Sequence, residues 1–169
     1  MNENNIEQVV SGINLGANLG TDVFYSGTVG AAIAGINLKY APVAISVCSF
    51  SPRDISFIAK KAFELIKHFR SISLQQNSLI NINFPDILKQ DYKGELYTKL
   101  AKRGAPEAPN IIRKKDQLSF TFSASGDFID GQTDTDMQAI ENGYVSVSIL
   151  NYDISNANDF LGKEISHGS

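Results

Sequence analysis

A seven-residue run, Pro42-Val43-Ala44-Ile45-Ser46-Val47-Cys48, constrains this chain more than any other feature of its sequence. Mostly apolar and β-branched, it is too short for a buried helix and predicts a strand covered on both faces. The residues after it say what does the covering. Ser51 and Pro52 predict a helix start, with serine as cap and proline in the first turn, where its missing N–H costs nothing. Ile55, Ile58, Ala62, Leu65, Ile66 and Phe69 then recur at helical spacing up to about Arg70. Ile80, Ile82 and Phe84 alternate with Asn81 and Asn83 before Pro85, as expected of a strand that ends at a proline. Upstream, Val9-Val10 reads as the end of a short buried strand that breaks at Ser11-Gly12. Ser26 is placed to cap a helix from about Gly27 to Leu38, with Val29, Ile33 and Ile36 as its apolar stripe. Strands separated by helices predict a parallel α/β sheet, because parallel neighbours need crossover connections.

From about Ile87 the character changes. Leu118, Phe120 and Phe122 alternate with Ser119, Thr121 and Ser123, and Val145, Val147 and Ile149 alternate with Ser146 and Ser148. Both stretches predict antiparallel additions. The expectation is one domain over residues 1–169, with an α/β core over 1–90 and an extension with hairpins over 91–169; Ser155 to Ser169 reads as a polar tail in which Leu161 packs locally.

A formal charge of -3 and a single local basic cluster, Lys99, Lys102, Arg103, Arg113, Lys114 and Lys115, argue against a nucleic-acid polymer as partner. Cys48 is the only cysteine, so an intramolecular disulfide is excluded, and with Ile45 and Val47 beside it the residue reads as a small core side chain. The first residues, Met1-Asn2-Glu3-Asn4-Asn5, have no basic segment followed by an apolar run, and no stretch reaches the length of a membrane span. A cytoplasmic protein is the expectation. His68 on the predicted helix and His167 in the tail are not expected to be catalytic.

Chemistry concentrates between Ser11 and Thr28, where Gly12, Gly16, Gly20, Gly27 and Gly30 follow at close intervals. Such density suits a loop passing close to a ligand at the carboxyl end of a strand. Ser26-Gly27-Thr28 at a helix start is either a simple cap or a phosphate cradle, since a helix N-terminus offers unpaired N–H groups and partial positive charge. Asn14 and Asn18 are either turn residues or carriers of a carbonyl oxygen for a hard cation and an amide for a phosphoryl oxygen. Neither a Gly-Lys-Ser/Thr phosphate loop nor the dinucleotide pattern Gly-x-Gly-x-x-Gly is present.

The full wording of this segment, Val9-Val10-Ser11-Gly12-Ile13-Asn14-Leu15-Gly16-Ala17-Asn18-Leu19-Gly20-Thr21-Asp22-Val23-Phe24-Tyr25-Ser26-Gly27-Thr28-Val29, resembles the signature of the SurE family of stationary-phase survival phosphatases. The resemblance continues through the Ala31-Ala32 helix, Pro42 to Ser46, Ile80 to Asp86, Asp134-Thr135-Asp136 and Gly143 to Val147, and is loose from about Asp91 to Gly131. It implies a Rossmann-like three-layer sandwich with a parallel central sheet. It also implies a metal-dependent nucleotidase that removes phosphate from nucleoside 5′- and 3′-monophosphates, and therefore a divalent cation, Mg²⁺ or Mn²⁺. By the same resemblance Asn14 ligates the metal, Asn18 is the catalytic asparagine of the substrate site, and Ser26, Gly27 and Thr28 bind the phosphate. Asp22 matches the acidic position of the family loop, where a loop-stabilising hydrogen bond is one role and catalysis another. Water is the expected nucleophile.

Family members begin with a strand ending in Asn-Asp-Asp-Gly, whose aspartates bind the metal, whereas this sequence starts just before the Ser11-Gly12-Ile13-Asn14 loop. The expected fold thus lacks the first strands of the family sheet and carries a C-terminal β-hairpin extension. Three functional readings stay open: a nucleotidase, an inactive remnant or one half of a split enzyme, and a module that binds phosphate or nucleotide without turnover. Expected partners are a nucleoside monophosphate and either further copies of the chain, as a dimer or tetramer, or a complementary N-terminal half.

Overall fold

A computed structural model describes residues 6–75, 77–106, 108–121, 126–129 and 131–153. The reading of Met1 to Asn5, the contributions of Phe122 and Ser123 to a strand, and the tail with Leu161 and His167 lie outside the described residues. The elements in order are β1 (Val10–Leu15), a 3-10 turn (Gly20–Tyr25), α1 (Gly27–Ile33), β2 (Val43–Val47) and α2 (Ile55–Arg70). They continue with β3 (Ser78–Phe84), a 3-10 turn (Lys89–Asp91), β4 (Glu95–Tyr97), β5 (Asn110–Lys114), β6 (Gln117–Thr121), α3 (Asp136–Glu141) and β7 (Val145–Asn151).

Five strands form the central sheet in the order β1-β2-β3-β7-β4. β1, β2 and β3 are parallel, as their helical crossovers require, whereas β7 runs antiparallel to β3 and parallel to β4. The fold is thus the expected Rossmann-like α/β sandwich. All five residues of β2 are buried, and so are all seven of β3. α2 covers one face: Ile58, Ala62, Leu65 and Phe69 pack on Val43, Ile45, Val47, Ile80, Ile82, Phe84, Val145 and Val147. Across the sheet, Val23, Val29 and Ala32 pack on Ala44 and Leu79, with Leu150 beside them. Among the described residues no helix is long and apolar enough to cross a membrane.

Several boundaries differ from expectation. Val10 begins β1 rather than ending a buried strand; 43% exposed, it lies on the outer strand of the sheet, and β1 continues through Gly12 with a bulge between Ser11 and Asn14. Glycine is what lets that strand continue, because Gly12 has φ +119 and a Cβ there would stand 2.2 Å from the Ile45 carbonyl oxygen. α1 stops at Ile33, five residues short of Leu38. α2 is capped by Asp54, whose carboxylate accepts from Phe57 N at 3.0 Å, so Ser51 and Pro52 belong to the turn before it. Ile55 is 43% exposed, and the buried stripe of α2 starts at Ile58. Cys48 is only partly buried. β7 is buried on both faces from Val145 to Ser148 because it sits inside the sheet, not on its rim. β5 and β6 form the expected hairpin as a separate two-stranded sheet, closed by Lys115-Asp116.

Candidate active site

The glycine-rich loop begins where β1 ends, at the carboxyl end of the parallel strands, and Gly16 N donates to the Val47 carbonyl at 2.9 Å. Beneath it the sheet presents a polar surface. Ser46, Asn83 and Ser146 share one row across β2, β3 and β7, with Asn81 and Ser148 in the next. All five are essentially removed from solvent. Asn18 lands on this surface: its backbone N donates to Asn83 Oδ1 at 2.9 Å, and its side-chain Nδ2 donates to Ser46 Oγ at 2.6 Å. Its carbonyl oxygen accepts from both Asn81 Nδ2 and Asn83 Nδ2 at 2.9 Å. An asparagine amide is the side chain that can satisfy a backbone N–H and C=O together. Asn83 does so for Asn18 and fixes the height of the loop above the sheet.

Farther along, Asp136 holds the loop from the other side. Its Oδ2 accepts from Gly20 N at 2.6 Å, and its Oδ1 accepts from Ala101 N and Met137 N at 2.9 Å. Gly20 has φ +55, and a Cβ there would meet the Ala101 carbonyl oxygen at 2.6 Å, so only glycine closes this contact. Burial raises the pKa of Asp136 while its backbone donors lower it, and the net direction is upward. Burial and the Asp136 carboxylate also push the Cys48 thiol up to about 12, so it is protonated at neutral pH and a poor nucleophile. Asp22 meets Arg103 with two hydrogen bonds from Nε at 2.9 Å and one from Nη2 at 2.6 Å. Arg103 also lies 4.0 Å from the centre of the Phe128 ring. The acidic position of the loop therefore makes the stabilising bond to a segment 81 residues away.

The loop then enters α1. Ser26 Oγ accepts from Val29 N at 3.1 Å and the Ser26 carbonyl from Gly30 N at 3.0 Å. The N–H groups of Gly27 and Thr28 have no acceptor among the described residues. A Cβ on Gly27 or Gly30 would meet nothing within 4 Å, so the entry to the helix is open. Asn14 stands in register with Ser46 on β1, and its Nδ2 donates to the Gly16 carbonyl at 2.9 Å. Asn14 and Asn18 are thus gathered around Ser46, whereas no hydrogen bond among the described residues ties either to Ser26, Gly27 or Thr28. His68 lies on α2, with its ring against Phe69.

A divalent cation of the Mg²⁺ or Ca²⁺ type wants several oxygen ligands, normally with one or more carboxylates. Among the described residues no three His, Cys, Asp or Glu side chains gather, and Asn14 offers one neutral carbonyl oxygen. These residues by themselves do not fit such a cation.

Sequence reasoning found Asn14, Asn18 and the Ser26 turn but missed Ser46, Asn81, Asn83, Asp136 and Arg103. A signal was present for the asparagines. Asparagine is disfavoured in strands, so two of them at alternate positions just before the carboxyl end of β3 ask for a partner.

Comparison with known proteins bears on the same segment. The family model described as Survival protein SurE matches residues 1–107. A protein of Pseudomonas savastanoi pv. phaseolicola named 5′-nucleotidase SurE is 37% identical over 152 residues, which cover 89% of this chain and 61% of that protein. A protein of the same name from Vesicomyosocius okutanii is 37% identical over 154 residues, covering 91% and 61%. The chain therefore spans about three-fifths of the length of these curated relatives. The crystal structure of the SurE protein from Aquifex aeolicus superimposes with a TM-score of 0.78 at 30% identity, covering 94% of this chain and 64% of that one.

Proposed function

Since the chain belongs to the SurE family, we propose that it is the phosphate-holding part of a metal-dependent nucleotidase, a phosphoric monoester hydrolase acting on nucleoside 5′- and 3′-monophosphates. The observation that carries this reading is the open entry to α1, where the Gly27 and Thr28 N–H groups have no internal acceptor and follow a loop clamped at Asn18 and Gly20. Two free N–H groups, the Thr28 hydroxyl and the partial positive charge of the helix form a cradle for a phosphoryl group. Asn18 is committed to Ser46, Asn81 and Asn83, so we assign its part in catalysis to holding the loop rather than touching the substrate. Donors held rigidly in place are worth more toward the charge of a transition state than mobile ones.

Asn14 Oδ1 accepts no hydrogen bond from the described residues and is the atom this chain would add to a Mg²⁺ or Mn²⁺ site completed by other groups. Among the described residues no three His, Cys, Asp or Glu side chains gather where they could hold a metal ion. That favours a second reading for this chain by itself, binding of phosphate or nucleotide without turnover. Partners under the same proposal are a nucleoside monophosphate and either a second copy or a complementary N-terminal half, in the cytoplasm. The surface we propose for a second copy is the β5–β6 hairpin: Ile111 pairs with Phe120 and Arg113 with Leu118, so that Ile111, Leu118 and Phe120, each 47–50% exposed, share one face.

The test is hydrolysis of AMP with Mn²⁺ by the purified chain, run beside calorimetric titration with orthophosphate. Turnover that disappears in Asn14→Ala supports the enzyme and overturns the binding-only reading. Orthophosphate binding without turnover supports binding alone. A chain whose orthophosphate affinity does not change on Thr28→Ala, or that binds none, refutes the phosphate cradle itself.

A further inference from the structure

We propose that the rings of Phe24 and Tyr25 form a shelf on which the base of a nucleotide stacks while its phosphate occupies the Ser26-Gly27-Thr28 turn. The inference rests on the phosphate reading above and names the part of the ligand that the cradle does not reach. Phe24 and Tyr25 are 62% and 86% exposed, which is unusual for two adjacent aromatics beside a clamped loop. Among the described residues neither ring stacks on another ring or on a cation.

Both rings line a cavity of about 570 Å³ with Thr21, Asp22, Arg103 and Pro106. That volume lies in the range of small-molecule sites and accommodates a nucleoside. Its walls combine aromatic faces with the Asp22–Arg103 ion pair, which holds the segment around residue 103 against the loop and so gives the cavity its far side. Spacing agrees with the ligand. Tyr25 and Gly27 are two residues apart, so their Cα atoms are separated by at most about 7.2 Å, comparable to the span from base to phosphate in a mononucleotide. Purine and pyrimidine rings alike have a face to stack, so the shelf would distinguish nucleotides from sugar phosphates more than one base from another.

The experiment titrates the full chain with AMP, ribose 5-phosphate and orthophosphate by calorimetry, comparing wild type with Tyr25→Ala, Phe24→Ala and Tyr25→Phe. Both side chains stand largely in solvent, so their removal leaves the core untouched. Wild type is expected to bind AMP about tenfold more tightly than ribose 5-phosphate, the scale of a single base–aromatic stack. Tyr25→Ala and Phe24→Ala should bring AMP toward ribose 5-phosphate, Tyr25→Phe should keep the difference, and orthophosphate affinity should not move. Equal affinity of the wild type for AMP and ribose 5-phosphate would overturn the shelf while leaving the phosphate cradle standing. Absence of orthophosphate binding would overturn both. If Tyr25→Ala instead dissociates an oligomer in sedimentation velocity without changing the AMP-to-ribose 5-phosphate ratio, the shelf is a subunit contact and the proposal is wrong.

Discussion

Strands β2, β3 and β7 present two faces that are equally buried and chemically opposite. Toward α2 the residues are Val43, Ile45, Val47, Ile80, Ile82, Phe84, Val145 and Val147, none more than 3% exposed. Toward the glycine-rich loop, at the carboxyl end, they are Ser46, Asn81, Asn83, Ser146 and Ser148, none more than 1% exposed. Burial alone therefore does not distinguish the two faces. Apolar burial contributes stability in proportion to area, without direction. Buried polar groups contribute little net stability, yet they hold their partners in one geometry. The loop-side layer even contains Asn81 Oδ1, a buried oxygen without a hydrogen-bond partner among the described residues, which weakens it as a source of stability. The α2 face is apolar, whereas on the other face Ala44 and Leu79 pack against α1 and only the polar rows beside them set where the loop lies.

The sharpest test of that contrast exchanges one side chain on each face. Phe84 is 1% exposed and packs beneath α2, so Phe84→Ala should destabilise the chain by about 3–5 kcal/mol, read from urea or thermal unfolding. Asn83→Ala leaves the Asn18 N–H and carbonyl without this partner and should cost less, about 1–3 kcal/mol. Function should rank the pair the other way. Under conditions where both variants remain folded, Asn83→Ala should weaken orthophosphate binding while Phe84→Ala leaves it near wild type. If Phe84→Ala weakens binding as much as Asn83→Ala does, the division of labour between the faces fails.

The apolar face was legible in the sequence because its signal is local and repetitive. The β2 run, the stripe from Ile58 to Phe69 and the alternation of Ile80, Ile82 and Phe84 each follow from a period that one segment carries by itself. The polar face was only half legible. Asn14, Asn18 and Ser26 stand out within a single stretch, but the partners that clamp Asn18 and Gly20 lie 28 to 116 residues away, at Ser46, Asn83 and Asp136. A hydrogen bond across such separation leaves no periodic trace. The helix boundaries were misread for a related reason: Ser51 and Asp54 are both acceptable caps, and the choice of Asp54 is settled by how the preceding turn meets Asp86, whose carboxylate accepts from Arg53 N at 2.8 Å.

The smallest expected effect concerns Asp136, where the two kinds of environment meet in one side chain. Three backbone donors favour its carboxylate, burial opposes it, and burial has the larger influence, so its folded pKa lies above the ordinary 3.8. The folded chain then binds more of this proton than the unfolded chain between 3.8 and the raised value. The stabilising contribution of the group is accordingly full below that window and declines as pH rises through it, with a slope of at most about 1.4 kcal/mol per pH unit for one group. Glu7 and Glu64, whose pKa values are lowered by Lys39 and Lys61, contribute with the opposite sign, so the wild-type profile alone does not isolate Asp136. The difference between wild type and Asp136→Asn does, because the other groups cancel. That difference, followed by urea unfolding from pH 3.5 upward, should shrink as pH rises. A difference that grows with pH would mean the Gly20, Ala101 and Met137 donors outweigh burial, placing Asp136 with the directional face rather than between the two.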